Sequence, residues 1–380
     1  MKAFNLQGMV QRFSTLRGAR LMLVILAMSG VQLFFNAVLA IPWGGLVEAS
    51  CRWDCTWYVG IAQNGYMPLS TETVYNAGAQ KNWAFFPLYP IISSLVSWGL
   101  GIKVITSGLL VNILLWPVIV LLCCKDMELR GIEVNNLLFC LFFIVYPLNI
   151  WYYSQYSEAV YGVLLMGMLV SLRLYKLYLA CILGFFLSIS RPTGFLMVIC
   201  LAAWWFFTAR QPEDRSMQER TMLDRLREAA LLVSVAGAGL SAFVLYFYDL
   251  IGDGFAFAHV EKAWGRHFLF FPQHILIALE SADRKIFGVY AIYVMVLLFL
   301  MWRKKWMVNA LLLSTTAFVG ASTGVVAIER HILANPLAIE FLAYLTVKLP
   351  YRETRNILVG LGAGHVCFVL IWYMNTFFLT

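Results

Sequence analysis

Asp54, an aspartate among aromatic residues, is the first residue along this sequence whose neighbours are typical of a catalytic carboxylate. Asp54 follows Arg52 and Trp53 after a long apolar run, and Trp57 and Tyr58 come next. A carboxylate beside rings that lower the dielectric can take the proton from an attacking hydroxyl group. The flat faces of Trp57 and Tyr58 suit a sugar ring or an interfacial anchor. Arg52 is expected to bind the substrate together with them. An aromatic membrane belt around a solvated Asp54 is the alternative interpretation.

A second acid, Glu158, ends the polar and aromatic stretch 153–158. At the start of a helix the macrodipole favours such an acid, which would explain Glu158 without a function. The functional interpretation is that Glu158 orients the acceptor or Asp54. The sequence has no His-x-x-x-His or Asp-x-Asp pattern, so no metal site is predicted. Binding of a divalent cation by Asp54 and Glu158 stays open.

Basic side chains predict contacts with a phosphate group. The candidates are Arg191, Lys262, Arg266, Arg330 and His331. Arg and protonated His make charge-assisted hydrogen bonds to phosphate oxygens, and fixed positive donors stabilise the charge on a departing phosphate. Ordinary lipid headgroup contacts are the alternative. Neither a P-loop nor a dinucleotide fingerprint occurs, so no cradle for a soluble nucleotide donor is recognisable.

The composition indicates an all-α integral membrane protein, with residues 1–380 as one polytopic domain. Of the 380 residues, 61% are hydrophobic and 13% are charged. Soluble domains are about half apolar and about a quarter charged. The formal charge of +8 comes from short basic clusters of the kind that flank the cytoplasmic ends of membrane helices. Nucleic acid is therefore excluded as an expected partner, whereas membrane lipid is expected.

The charge pattern predicts a cytoplasmic N-terminus and an extracytoplasmic polar vestibule. Residues 1–20 carry basic side chains without an acid, and a first span is expected at about 21–41, with a cleaved signal peptide as the alternative. Residues 43–104 form the first extracytoplasmic loop, with a surface helix at 84–100. Residues 252–284 form the second extracytoplasmic loop, and 210–228 a cytoplasmic amphipathic connector.

In total, about eleven spans are expected. The ten after the first lie at about 105–124, 134–150, 157–172, 177–190, 193–209, 230–250, 286–302, 306–326, 332–347 and 356–377.

Two of the eight cysteines, Cys51 and Cys55, fall in the polar loop, whereas the other six lie in or beside apolar segments. A Cys51–Cys55 disulfide would form if the loop faces an oxidising compartment. A regular helix would hold positions four apart too far from each other for an unstrained bond. The sequence leaves both possibilities open.

At these motifs the chain resembles the PIG-V family of mannosyltransferases and their bacterial relatives. The match covers residues 50–195 and extends to the C-terminal half only through hydropathy and Arg330. The residues that carry it are Arg52-Trp53-Asp54, Trp57-Tyr58, Ile61-Ala62, Gly65-Tyr66, Phe85-Phe86-Pro87-Leu88-Tyr89-Pro90, Ser157-Glu158 and Ser190-Arg191-Pro192-Thr193-Gly194.

The resemblance implies a GT-C fold, a helical membrane bundle whose long first extracytoplasmic loop bears the catalytic aspartate. It implies transfer of a hexose, mannose in the family, from a polyprenyl- or dolichyl-phosphate sugar to a hydroxyl of a glycan, glycolipid or protein, with inversion. Asp54 then inherits the general-base role and Glu158 a supporting one. The family's C-terminal phosphate-contact region is not matched residue by residue, so Lys262, Arg266, Arg330 and His331 rest on their chemistry alone.

A transporter or flippase for lipid-linked sugars is the alternative function. Such proteins place ionisable groups or broken helices near the membrane midplane. Glu340, with Pro336 nearby, is the residue that fits this pattern. A scaffold without catalysis is a third interpretation, but it gives no reason for a polar, aromatic vestibule.

Overall fold

The computed structural model describes residues 18–68, 79–208, 221–376 and 379, and over these ranges the chain is helical, without a β-strand. Two compact units divide the chain. The first comprises Met1–Val59, Ser93–Met166 and Val326–Thr380, and the second comprises Gly60–Ile92 and Gly167–Val325. The N-terminal basic residues up to Arg17 and most of the connector 210–228 lie outside the described residues.

In chain order the α-helices are α1 Gly18–Ala40, α2 Leu46–Ser50, α3 Cys55–Asn64, α4 Leu88–Leu100, α5 Val104–Leu129, α6 Asn136–Val145, α7 Glu158–Arg173, α8 Leu177–Ser188, α9 Gly194–Thr208, α10 Met222–Ile251, α11 Ala256–His259, α12 Phe271–Glu280, α13 Lys285–Arg303, α14 Met307–Thr315, α15 Pro336–Val347 and α16 Tyr351–Tyr373. Between them lie the 3₁₀ segments Ile41–Trp43, Asn82–Ala84, Pro147–Tyr153, Val260–Trp264 and Ala321–Thr323, and the π-helical turns Thr316–Gly320 and Glu329–Leu333.

Five described helices are long and apolar enough to cross a membrane, namely α1 with its following 3₁₀ turn, α5, α10, α13 and α16. The chain is therefore an integral membrane protein. Counting α6 with Pro147–Tyr153 gives a sixth candidate, bent by 76°. The other apolar helices of 10–17 residues are Leu88–Leu100, Leu177–Ser188, Gly194–Thr208, Met307–Thr323 and Pro336–Val347. The count of eleven spans, and the side on which each loop lies, stay predictions.

The bend after α6 has a local cause. Proline has no N–H to donate and disfavours the helical conformation in the residue before it. Tyr146, which precedes Pro147, is accordingly extended, with φ −66° and ψ 124°. The region of the span expected at about 134–150 is thus a helix followed by a 3₁₀ segment at an angle of 76° to it. This redirected segment leads towards Glu158.

Helix α1 carries a polar stripe on its buried face. Ser29, Gln32 and Asn36 are three and four positions apart and are all buried. The Tyr153 hydroxyl donates to Gln32 Oε1 at 2.9 Å, and His365 Nε2 lies 3.2 Å from Asn36 Oδ1. In lipid, such polar contacts and close packing hold helices together, because apolar side chains gain little by leaving the acyl chains. They fix α1, α16 and the 3₁₀ segment within the first unit.

Candidate active site

The loop that carries Asp54 is closed by a disulfide between Cys51 and Cys55. Cys51 lies just after the end of α2 in an extended conformation, and Cys55 begins α3. Trp53 between them has φ +46°, in the left-handed region. Because the two cysteines belong to different helices, the spacing that would part them in one helix does not apply, and their Cα atoms are 5.2 Å apart.

Arg330 joins the two acids that the sequence singles out. Its Nη1 atom lies 2.6 Å from Asp54 Oδ2, and its Nε lies 3.5 Å from Glu158 Oε1. The side chains of Arg330 and Glu158 are 9% and 4% exposed, against 23% for Asp54. Asp54 is therefore the member of this carboxylate–guanidinium cluster that a substrate can reach most easily. All three residues belong to the first unit.

Two carboxyl groups, those of Asp54 and Glu158, face the one guanidinium of Arg330. Burial alone would lower the pKa of Arg330, but the charges of Asp54 and Glu158 outweigh burial and raise that pKa above its usual value. Arg330 is therefore a permanent cation. It neutralises part of the repulsion between Asp54 and Glu158 and fixes their orientation.

Helix starts supply both acids. Asp54 immediately precedes α3, and its carbonyl accepts hydrogen bonds from the backbone N–H groups of Trp57 and Tyr58. Glu158 is the first residue of α7. The positive end of a helix dipole stabilises a negative side chain there, in addition to the charge of Arg330. Stabilisation of Glu158 by the helix dipole is therefore compatible with a role of Glu158 in the site.

The turn that carries Arg330 is irregular and held by tyrosines. Arg330 lies in the π-helical turn Glu329–Leu333, after Ala327 with φ +66°. A π turn leaves carbonyl groups outside the regular helical pattern. The Tyr146 hydroxyl donates to the carbonyl of Leu333 at 3.1 Å, and the Tyr152 hydroxyl to that of Ala334 at 2.6 Å. The bent segment after α6 therefore supports the Arg330 turn.

Tyr156 lies beneath the cluster and is fully buried. Its hydroxyl accepts a hydrogen bond from the Asp54 N–H at 3.1 Å and donates to the Arg52 carbonyl at 2.9 Å. The guanidinium carbon of Arg330 lies 5.1 Å from the centre of its ring, at cation–π distance. Sequence reasoning did not select Tyr156, because nothing in the sequence distinguishes it from the other aromatic residues of its stretch.

Arg52 uses its guanidinium to hold the loop against the end of α16. Its Nε and Nη2 atoms donate to the Tyr373 carbonyl at 3.2 and 2.8 Å, and Nη1 donates to the Glu48 carbonyl at 2.9 Å. Substrate binding by Arg52 stays a prediction.

The two aromatic residues after Asp54 differ in their surroundings: Tyr58 is buried, whereas Trp57 is partly exposed. Tyr58 is buried, and its hydroxyl lies 2.9 Å from Ser157 Oγ, next to Glu158. Trp57 is partly exposed, as a ring that packs against a substrate would have to be. The sequence indicates Ser157 only as part of the Ser157-Glu158 motif and gives it no role, whereas the structure shows its contact with Tyr58.

The remaining predicted residues are distributed over both units. His331 follows Arg330 in the first unit and is half-buried. Arg191, Lys262 and Arg266 belong to the second unit. There Arg266 Nε lies 2.9 Å from Glu261 Oε2, and Lys262 is exposed. Their contacts with a phosphate stay predictions.

Gly194, the last residue of the Ser190–Gly194 motif, has a packing role in the second unit. A Cβ atom there would collide with the carbonyl oxygen of Leu187 at the end of α8. Its φ is not in the left-handed region. Glycine is needed at this turn because α8 and α9 approach closely.

Among the described residues, no three His, Cys, Asp or Glu side chains come together as metal ligands. At the carboxylate–guanidinium cluster, Arg330 contacts both acids that a cation would bind.

No protein-family model and no curated protein matches this chain. Among solved structures, the chain is similar to the oligosaccharyltransferase of Archaeoglobus fulgidus in its complex with Zn and sulfate, with a TM-score of 0.45 and 9% identity. The alignment covers 93% of this chain and 52% of the other, so the chain spans about half the length of that protein. The resemblance to PIG-V mannosyltransferases therefore rests on the sequence motifs.

Proposed function

We propose that this protein is a membrane glycosyltransferase of the GT-C type. It transfers a hexose, with mannose as the first sugar to test, from a polyprenyl- or dolichyl-phosphate sugar to a hydroxyl of a glycan, glycolipid or protein. The motifs shared with PIG-V mannosyltransferases, the apolar helices and the carboxylate–guanidinium cluster support this proposal together.

One observation carries the proposal: Asp54, partly exposed, is held at 2.6 Å by the buried guanidinium of Arg330. A general base needs an accessible oxygen and a fixed orientation. Asp54 takes the proton of the acceptor hydroxyl while the oxygen of that hydroxyl attacks the anomeric carbon of the donor sugar. The bond from that carbon to the lipid phosphate oxygen breaks, and the phosphate leaves with the electron pair. The configuration at the anomeric carbon is inverted.

Arg330 and Glu158 act on Asp54 in this scheme. The sequence predicts a phosphate contact for Arg330, but its hydrogen-bonded ion pair with Asp54 at 2.6 Å and its longer ion pair with Glu158 at 3.5 Å favour a role in orienting the base. Glu158, almost fully buried, lies 3.5 Å from Nε of the same guanidinium and contributes a charge interaction there. Phosphate contacts by Arg191, Lys262, Arg266 and His331 form a separate hypothesis, to be tested by single substitutions.

The active site is proposed to face the extracytoplasmic side, with the N-terminus in the cytoplasm. A disulfide beside Asp54 supports this orientation, since such bonds persist in oxidising compartments and are rare in the cytosol.

The proposal is tested with purified protein in lipid nanodiscs and radiolabelled polyprenyl-phosphate mannose or glucose. Asp54→Asn keeps the shape of the side chain but removes the base, and should lower turnover by about 10²–10⁴-fold. Glu128→Gln is the matched control, because it removes an exposed carboxylate that pairs with Lys125 in the same unit. Near-normal turnover by Asp54→Asn would exclude the general-base mechanism.

The transporter alternative is favoured by Glu340, which is fully buried within α15. A carboxylate inside a membrane helix is costly and often functional. Movement of a fluorescent lipid-linked sugar across proteoliposomes separates the two functions. Transport that is lost in Glu340→Gln and kept in Asp54→Asn would favour the transporter.

A further inference from the structure

We propose that Tyr156 is a positioning residue that fixes the distance and orientation between Asp54 and Arg330. The kinetic part of this inference rests on the proposed transferase function, whereas the structural part concerns the ion pair itself and does not depend on the substrate.

The Tyr156 hydroxyl holds the backbone of the Asp54 loop. Burial, together with the charge of Asp54, raises the pKa of the phenol well above its usual value, so the hydroxyl keeps its proton. It can then accept from the Asp54 N–H and donate to the Arg52 carbonyl at once, as the two distances of 3.1 and 2.9 Å require. One side-chain oxygen therefore fixes both ends of the segment Arg52–Asp54.

The Tyr156 ring holds the partner of Asp54. The Arg330 guanidinium lies over it at 5.1 Å, so the same side chain contacts the backbone of the base and the cation that orients the base. Phenylalanine would keep the ring contact and lose both hydrogen bonds. Serine would lose the ring and is too short to replace it. Tyrosine is the residue whose two parts serve both contacts.

Tyr156 itself is held in place from several sides. Asn112 Nδ2 donates to the carbonyls of Ser154 and Tyr156 at 2.5 and 2.7 Å. The rings of Trp372 and Tyr58 pack edge-on against Tyr156, with centroids 5.6 and 6.2 Å away. Because Tyr156 is held rigidly, it restrains the Asp54 backbone and the Arg330 guanidinium that it contacts. The segment before α7 thus helps to set the geometry of the Asp54–Arg330 pair.

The first test compares the turnover of Tyr156→Phe with that of Tyr153→Phe. Tyr153 is the matched control, because it is also buried, lies three positions earlier and donates one side-chain hydrogen bond, to Gln32. Tyr156→Phe should lower kcat about tenfold with KM for the donor nearly unchanged, since the lost contacts orient the base and do not bind the substrate. Tyr153→Phe should keep wild-type kcat.

The expected kinetic pattern separates positioning from simple loss of stability. Both Phe variants remove a buried hydroxyl, so similar falls in melting temperature with a fall in kcat only for Tyr156→Phe would support the proposal. Equal kcat values for the two variants would overturn it. Placing 4-aminophenylalanine at position 156 restores a hydrogen-bonding group on the same ring and should recover part of the lost kcat.

The second test measures the ion pair without any substrate. A double-mutant cycle of Asp54→Asn and Arg330→Gln gives the coupling between the two side chains from unfolding in detergent, first with Tyr156 and then with Phe at position 156. The coupling should fall in the Phe background. An unchanged coupling would overturn the inference even if the protein proves to be a transferase, whereas a reduced coupling without transfer would leave Tyr156 as a positioning residue and exclude the proposed function.

Discussion

Arg330 and Asp54 are 276 positions apart in the chain, and their Nη1 and Oδ2 atoms are 2.6 Å apart. Glu158 meets the same guanidinium from the start of α7. A guanidinium suits this position because its nitrogens form a planar fork that can address two carboxylates, which a single ammonium group cannot reproduce.

Arg330→Lys should therefore retain the positive charge but orient the base poorly. We expect kcat to fall by about ten- to a hundredfold, corresponding to a lost charge-assisted hydrogen bond of about 1.5–3 kcal/mol. Steady-state kinetics with the polyprenyl-phosphate donor measures this effect.

The control for this substitution is Arg227→Lys, since Arg227 is exposed and pairs with Asp224 on the surface of α10. Surface pairs of this kind contribute little. Wild-type kcat in Arg330→Lys would contradict the orienting role of the guanidinium.

Composition and motifs predicted the membrane class, and they identified Asp54, Glu158 and Arg330 separately. Their direct pairing could not be predicted, because Arg330 lies in a π-helical turn that hydrophobic periodicity does not indicate. The sequence suggested a phosphate contact for Arg330, since nothing near it in the chain identifies Asp54 as its partner.

The bend before Tyr156 shows another limit of the sequence pattern. Residues 134–150 are apolar enough to be taken as one span, yet Pro147 ends α6 and a 3₁₀ segment follows at 76°. Proline in a membrane segment either kinks or ends a helix, depending on which partners satisfy the freed carbonyl groups. In this protein Asn149 Nδ2 donates to the carbonyls of Phe143 and Ile144 at 2.7 and 3.1 Å.

The Cys51–Cys55 disulfide closes the loop that bears Asp54, so its reduction should lower activity. With the bridge open, Trp53 is freer to leave its left-handed conformation, and the backbone of Asp54 loses one constraint. Turnover should fall several-fold when a membrane-permeant reductant is added to the wild-type protein.

The same reductant should have no effect on the double variant Cys51→Ser/Cys55→Ser, whose activity should already be low. The six remaining cysteines are present in both proteins and serve as an internal control. A wild-type turnover that is insensitive to complete reduction of the bridge, verified by mass spectrometry, would show that the loop is held by Tyr156 and Arg52 alone.

Chelators should leave the proposed transfer activity intact, because Arg330 already contacts the two carboxylates that a divalent cation would use. Turnover after dialysis against EDTA is expected to stay within about twofold of its starting value, a change of less than about 0.5 kcal/mol in the barrier. Loss of activity that Mn²⁺ or Mg²⁺ restores would instead indicate that a cation binds together with the donor phosphate.

Gly194 offers a test of the fold that is independent of the chemistry. In Gly194→Ala the new Cβ meets the Leu187 carbonyl oxygen at the end of α8, and the backbone must move to accommodate it. Overpacking of this kind costs about 1–3 kcal/mol or more. The melting temperature in detergent should fall clearly.

Gly237→Ala is the matched control in the same unit, since a Cβ there would be 3.7 Å from the Phe195 ring, an ordinary contact. The obstacle at Gly194 is a backbone atom, whereas the neighbour of Gly237 is a side chain, so Gly194→Ala should have the lower melting temperature. Equal melting temperatures for the two variants would mean that α8 and α9 do not approach each other this closely.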